Sequence, residues 1–293
     1  MHADNVHCKL RTGKISGFRN QMKKYKTSKF NVVDFGAIGD GKSLDTNAVN
    51  KAIQACSAKG GGLVVFPPGK YLSGTVILKS GVSLFLEAGA RLLGTSDLVK
   101  YKNHVGLNKK SKDSPWHNAL ILGVGVENVS ILGDGIIDGQ KVFNPNGEEK
   151  MRGPHTVLFA GSKNISIRDI SVTDSANYAV MILGCDDTEV RDVKITGGWD
   201  GVHFRGLEGK PCRNLSILDC HFYTGDDSIA GCYAENLLIR NCIINSSCNG
   251  IRIIGPVSHG IIQNCLFFGP GRQPHRTTDR HNMLSGIILQ PGA

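Results

Sequence analysis

Aspartate and its amide recur in this chain at a fixed distance from branched aliphatic residues. Asn177, Asp200, Asp227 and Asn249 each stand ten residues beyond Ile167, Val190, Ile217 and Ile239. Asp226 precedes Asp227, and His203, Ala230 and Arg252 lie three positions further on. If the chain retraces one path in successive coils, equal offsets become equal heights on one face, about 4.8 Å apart. Asp200, Asp226 and Asp227 then crowd together. Like charges at that spacing cannot all ionise freely, so at least one carboxyl keeps its proton beside ionised neighbours. An acid beside a base is what glycoside hydrolysis requires: one group protonates the leaving oxygen and another activates water. Asp186-Asp187 carries no such expectation. It lies before its aliphatic residue, on the turn side, where aspartate bonds its own backbone.

Alternation refines the picture. In Val202-His203-Phe204 and Ile251-Arg252-Ile253 the apolar residues should point inward, which sends His203 and Arg252 outward to the carboxylates. Arg252 could pair with Asp227 or grip an anionic sugar, and the sequence supports both uses equally. Gly269 to Asn282, with Arg272, His275, Arg276, Arg280 and His281, interrupts a coil and is expected to overhang the same face.

The elements that position these residues follow from the repeat. Ile131, Ile167, Val190, Ile217, Ile239 and Ile262 head similar short apolar segments at intervals of 36, 23, 27, 22 and 23 residues. A period of 22 to 27 built from short strands and turns points to a right-handed, single-stranded parallel β-helix. A leucine-rich repeat lacks its leucine frame here, and a sandwich would not keep this phase. Further strands are expected at 63–66, 75–78, 82–86 and 91–93. Val49, Ala52, Ile53 and Cys56 recur at helical spacing, with Asp45 or Thr46 as the expected N-cap and Gly60 as the stop. That helix would cap the first coil, whose apolar end and strand edges need cover. Cys220, Cys242 and Cys265 each follow an anchor by three residues and are expected to stack as buried structural thiols.

With 293 residues, 40% hydrophobic and 20% charged, the chain is long enough for one large domain and is not disordered. No apolar run approaches the roughly 18 residues of a membrane span, and residues 1 to 30 hold no apolar export segment. The net charge of +9 is concentrated. Lys9, Arg11, Lys14, Arg19, Lys23, Lys24, Lys26 and Lys29 face only Asp4 in the first thirty residues, a basic arm ahead of a nearly neutral domain at 31–293. With no zinc-finger or RNA-binding run, nucleic acid is not expected as a partner. None of the nine cysteines forms a Cys-x-x-Cys, so neither a zinc ribbon nor a thioredoxin motif is expected. The chain stops after Gly286-Ile287-Ile288-Leu289 with no polar finishing coil, so truncation at the C-terminus is expected. Oligomeric state is not legible.

At this point the motifs carry a resemblance. Asp34-Phe-Gly-Ala-Ile-Gly-Asp-Gly41, Gly60-Gly-Gly62 and Phe66-Pro-Pro-Gly-Lys-Tyr71 resemble the start of the pectate-lyase-like β-helix superfamily. Gly133-Asp-Gly-Ile-Ile-Asp-Gly139, Asp174-Ser-Ala-Asn-Tyr178, Trp199-Asp-Gly-Val-His203 and Gly225-Asp-Asp-Ser-Ile229 resemble glycoside hydrolase family 28, the polygalacturonases. The resemblance implies inverting hydrolysis of a pectin-type polysaccharide with no metal or other cofactor. It makes Asp226 the general acid, with Asp200 and Asp227 activating water, and Asn177, His203, Asn249 and Arg252 binding substrate. It implies a secreted or periplasmic protein, while unpaired thiols also suit the cytoplasm. Three family motifs differ here. Asn-Thr-Asp reads Gly198-Trp199-Asp200; Gly-His-Gly reads Cys248-Asn249-Gly250; Arg-Ile-Lys reads Ile288-Leu289-Gln290. The last change removes two cations that hold the uronic carboxylate, which opens neutral galactosides or rhamnosides beside galacturonate. Two rival readings share the scaffold. One is a polysaccharide lyase or epimerase, with Arg252 neutralising the substrate carboxylate and calcium on the aspartates. The other is a glycan-binding β-helix without catalysis.

Overall fold

The computed structural model describes residues 28–103 and 117–290, and most of the basic arm lies outside them. The chain is a right-handed parallel β-helix of three sheets. The first sheet orders Lys29–Asn31, Gly62–Phe66, Val82–Leu86, Glu127–Leu132, Lys163–Arg168, Asp186–Arg191, Cys212–Leu218, Ala234–Arg240 and Val257–Gln263. The second runs from Asp40–Leu44 and Gly69–Ser73 to Ile243–Ser246 and Leu266–Phe267. The third runs from Val76–Ile77 through Asn118–Val124, His155–Ala160, Val180–Leu183, Val202–Arg205, Ile229–Cys232 and Asn249–Ile253 to Ser285–Leu289. Lys29–Asn31, Asp40–Leu44 and Gly69–Ser73 were not expected. Their polar or glycine-rich sequences (Asp40-Gly-Lys-Ser-Leu44 above all) form strands only because neighbouring coils supply the ladder.

The period is the stack. Ile131, Ile167, Val190, Ile217, Ile239 and Ile262 are successive register partners, and all but the last are buried. Burying each such side chain contributes about 1.5–3 kcal/mol. Cys220, Cys242 and Cys265 continue a column that Ile170 and Val193 occupy in earlier coils; Cys220 and Cys242 are buried apolar fillers as expected, whereas Cys265, in the last of these coils, is only half-buried. Cys220 and Cys242 donate to the carbonyls of Leu218 and Arg240 at 3.1 and 3.4 Å. Every cysteine of the described residues is a free thiol. Asp186 and Asp187 are structural, though not by bonding their own backbone in a turn: they open the strand Asp186–Arg191 and accept from the next coil, Asp186 from the Arg213 amide. At φ 52° Asp187 takes its place in a ladder with Asn128, Asn164, Asn214 and Asn236, all left-handed, and accepts from Asn214 Nδ2 at 2.7 Å.

Helix α1 (Thr46–Ala58) packs on the first strands of the first and third sheets and covers that end of the core. Its capping differs from expectation. Asp45 is the N-cap residue, but its carboxylate accepts from the Ile38 and Gly39 amides at 2.7 and 3.1 Å, tying down the preceding turn. Thr46 Oγ1 accepts from the Gly74 amide instead. At the opposite end of the described stack, Ile287 and Leu289 continue the inward columns of Ile251 and Ile253 yet are exposed. Among the described residues no helix is long and apolar enough to cross a membrane.

The connections from the second sheet to the third place the functional residues. Four are short: 174–179, 197–201, 225–228 and 247–248. On either side of this group the same connection is long, 139–154 before it and 268–284 after it. Short turns between long ones make a floor between two walls.

Candidate active site

The floor carries the carboxylates. Asp200, Asp226 and Asp227 occupy the connections 197–201 and 225–228, and their nearest oxygens all lie within 4.8 Å of one another. Asp200 and Asp227 are buried, while the Asp226 side chain keeps 13% of its surface. The ladder beside them explains the convergence, because Val202 pairs with Ile229 and then Ile251. Glycine permits it: a Cβ at Gly225 would stand 2.5 Å from the Gly198 carbonyl oxygen and 2.6 Å from that of Pro274.

Each expected partner is present. His203 Nδ1 lies 2.7 Å from Asp200 Oδ2, and its ring stacks on Tyr178 with centroids 4.3 Å apart. Asn249 donates its backbone and side-chain N–H groups to Asp227 Oδ1 at 3.1 and 2.8 Å. Arg252 Nη1 reaches Asp227 Oδ2 at 3.5 Å while its Nε donates to Gln290 at 3.0 Å. Both uses of Arg252 stay available, since its side chain is 39% exposed. Asn177 is buried, and its Oδ1 accepts from the Tyr178 amide at 3.1 Å and from Arg152 at 3.5 Å. Asn177, His203 and Asn249 therefore sit beneath the floor's surface rather than on it.

The walls close over Asp226. From 139–154 comes Arg152, which the sequence reading missed. Its guanidinium is gripped by Glu149 at 3.0 and 3.3 Å, lies 3.9 Å over the Trp199 ring and points Nη2 at Asp226 Oδ2, 3.4 Å away. From 268–284 comes His275, whose Nε2 is 3.7 Å from the same oxygen. Arg276 packs over Trp199 and Arg280 donates to the Ser247 carbonyl, so the segment overhangs the face as expected. One signal could have exposed the first wall: the interval of 36 residues between Ile131 and Ile167, against 22 to 27 elsewhere, requires an insertion.

Crowding and burial set the protonation. Burial, with Asp226 and Asp227 alongside, pushes the Asp200 carboxyl well above the usual carboxylate range, against the pull of Arg152 and Arg252. Burial and Asp226 also raise Asp227, while the Asn249 hydrogen bonds and Arg252 hold it down. Burial keeps His203 well below the usual imidazole range, so it is neutral. The cluster thus holds a proton to higher pH than isolated aspartates would.

The chain has known relatives. The chain is 28% identical over 258 residues to a probable polygalacturonase of Vitis vinifera, a match covering 80% of this chain and 52% of that one. It is 26% identical over 249 residues to an exo-poly-alpha-D-galacturonosidase of Dickeya chrysanthemi, covering 68% and 41%. The chain thus spans about half the length of the curated relatives it matches. Among solved structures, the family 28 exopolygalacturonase of Yersinia enterocolitica shares the fold with a TM-score of 0.70 at 22% identity, covering 90% of this chain and 55% of that one. Residues 29–271 match the family described as rhamnogalacturonase A/epimerase, pectate lyase-like. The chain belongs to that family and within it is polygalacturonase-like.

Proposed function

We propose that the protein is a glycoside hydrolase that cleaves a pectin-type polysaccharide lying across the floor between the two walls. The observation that carries this reading is the convergence of three carboxyls within 4.8 Å, two buried and one facing the cleft. Asp226 is the one that a sugar ring can touch, so it protonates the leaving oxygen. Asp200 and Asp227 are too deep to meet an anomeric carbon, but their oxygens can hold and deprotonate a water. In the resting cluster burial and the two neighbouring carboxyls favour the proton on Asp200. Passing that proton to Asp226, whose nearest oxygen lies within 4.8 Å, arms the acid and leaves Asp200 and Asp227 ionised to deprotonate the water.

The stereochemistry is inversion. Acid and base in most inverting glycosidases stand roughly 6.5–9.5 Å apart, and these oxygens are closer. Burial nevertheless favours water over a carboxylate as the nucleophile, because neither deep aspartate can approach carbon directly. His203 orients Asp200, Asn249 orients Asp227, and Asn177 steadies Arg152. Arg252, exposed on the floor, binds substrate. With Arg272 and Arg276 of the wall 268–284 it offers positive charge suited to uronic carboxylates.

The test is a reducing-sugar assay on polygalacturonan, rhamnogalacturonan and galactan in metal-free buffer, with the anomer first formed read by proton NMR. Turnover by the wild type, indifferent to chelator, inverted at the anomeric carbon and at least a hundredfold lower in Asp226→Asn, supports the reading. Retained activity in Asp226→Asn would sink the assignment of the acid. A retained anomer would make one aspartate a nucleophile, and an unsaturated, ultraviolet-absorbing product would make the enzyme a lyase.

A further inference from the structure

We propose that Asp226, Cys248 and His275 form a binding site for a thiophilic divalent cation such as zinc, which shuts the enzyme off by taking Asp226 as a ligand. The metal site stands on its own geometry; its inhibitory effect rests on the hydrolase reading.

Three separate segments bring the ligands together: the connection 225–228, the connection 247–248 and the wall 268–284. An aspartate oxygen, the Cys248 sulfur and a His275 nitrogen all lie within 4.8 Å of one another, and His275 Nε2 is 3.7 Å from Asp226 Oδ2. Zinc bonds of roughly 2.0–2.3 Å in a tetrahedron set ligand atoms roughly 3.3–3.8 Å apart. The triad needs only a small contraction, and His275 sits on a wall loop that can supply it. The donor set selects the ion. One thiolate, one imidazole and one carboxylate suit zinc or cobalt, whereas calcium and magnesium take oxygen ligands. Three protein ligands leave a fourth position, on the cleft side where Asp226 is exposed.

Burial and the Asp227 and Asp226 charges push the Cys248 thiol up to about 12, so the metal itself must displace its proton, with help from two donors. Sγ of Cys248 accepts from Arg280 Nη2 at 3.2 Å and from Asn249 Nδ2 at 3.4 Å, donors that would offset the charge of a thiolate. His275 Nδ1 lies 2.8 Å from Thr277 Oγ1 and accepts from the Thr277 amide at 3.3 Å, contacts that hold Nε2 toward Asp226; to ligate, the ring moves its proton to Nδ1, where the Thr277 hydroxyl accepts it. Arg152 contacts the same aspartate oxygen that faces His275. Such outer partners orient metal ligands. On binding, the metal replaces the thiol proton, which passes to solvent, and no electron moves. The site differs from the cluster of three aspartates, which offers oxygen alone and shares only Asp226 with it.

The experiment is a cobalt(II) titration of the full chain followed by absorption, with zinc inhibition of hydrolysis measured in parallel. The wild type should show a sulfur-to-cobalt charge-transfer band, displaced by zinc and not by calcium. The band should vanish in Cys248→Ser and weaken in His275→Gln, with thermal melts confirming that both variants fold. Zinc should inhibit, chelator should reverse it, and Cys248→Ser should raise the inhibitory midpoint by at least roughly tenfold. A wild type without the band, or a band unchanged in Cys248→Ser, overturns the site. An equal zinc midpoint in both proteins overturns it too, by putting the ion on Asp200, Asp226 and Asp227. A band lost with Cys248 in a protein that hydrolyses nothing would uphold the site while the hydrolase reading fails.

Discussion

The short connections 197–201 and 225–228 and the long ones 139–154 and 268–284 join the same two sheets, yet they behave as different materials. In the short ones the ladder fixes every position, so an aspartate's height follows from its distance to the nearest anchor. In the long ones the backbone leaves the ladder, and residues such as Glu149 and Lys150 take left-handed conformations that no repeat dictates. The floor supplies acids at fixed spacing, and the walls supply the guanidinium of Arg152 and the imidazole of His275 beside Asp226. The proposed chemistry thus falls where the fold is most constrained, and adjustment where it is least.

The comparison breaks most clearly at Asp227. If the floor does the chemistry, Asp227→Asn keeps its contacts with Asn249 and the fold, but lowers kcat by at least about a hundredfold with KM little changed. An effect confined to KM would move Asp227 from the reaction to mere binding. On the wall, Arg152→Gln should cost less, a fall of roughly 10- to 100-fold in kcat/KM through misplacement of Asp226. It carries a second mark. Arg152 is one of the charges that hold the Asp200 carboxyl down against its burial, so its removal lets the cluster keep its proton to higher pH. The alkaline limb of the pH–rate profile should therefore move upward. A downward move would show that Arg152 is not coupled to the cluster.

How much of this was legible follows the same division. The anchors, the thiol column, the three aspartates and the outward His203 and Arg252 all sit in phase, and the structure sets them where the offsets say. Arg152 was invisible because its position depends on Glu149, Trp199 and Asn177, three residues with no common period. His275 was foreseen only as part of an overhang, since nothing in 269–282 says which side chain turns to Asp226. At the helix start the local rule was overruled: Asp45 had a closer use in the Ile38 and Gly39 amides than in its own helix.

Gly225 joins the two regions, since its missing side chain makes room for Gly198 beneath and Pro274 above. Gly225→Ala should cost about 1–3 kcal/mol of stability through overpacking, which lowers Tm by roughly 2–12 °C in a domain of this size. Activity should fall with it, because displacing Gly225 against Gly198 and Pro274 moves the neighbouring Asp226 and Asp227. Unchanged Tm and activity would mean that floor and wall are not in register through this glycine.

The smallest effect tests the floor's own cost. An aspartate whose carboxyl is raised by burial binds its proton in the folded state at pH values where the unfolded chain, near 3.9, has already lost it. Its contribution is complete below about pH 4 and declines as pH rises toward the folded value, so at neutral pH Asp200 weakens the fold. Asp200→Asn removes that titration and still offers an oxygen to His203. The variant should melt several degrees above the wild type at pH 7, at roughly 2–4 °C per kcal/mol, and the gap should close as pH falls toward 4. His203, neutral in its buried site, acts in the opposite sense by costing stability below about pH 6.5; its bond to residue 200 makes that cost differ between the two proteins, so Asp200→Asn is also compared in a His203→Gln background. A variant no more stable at pH 7, and equally so at pH 4, would mean that Asp200 is solvated in the folded state, and the floor would lose the buried proton on which its chemistry depends.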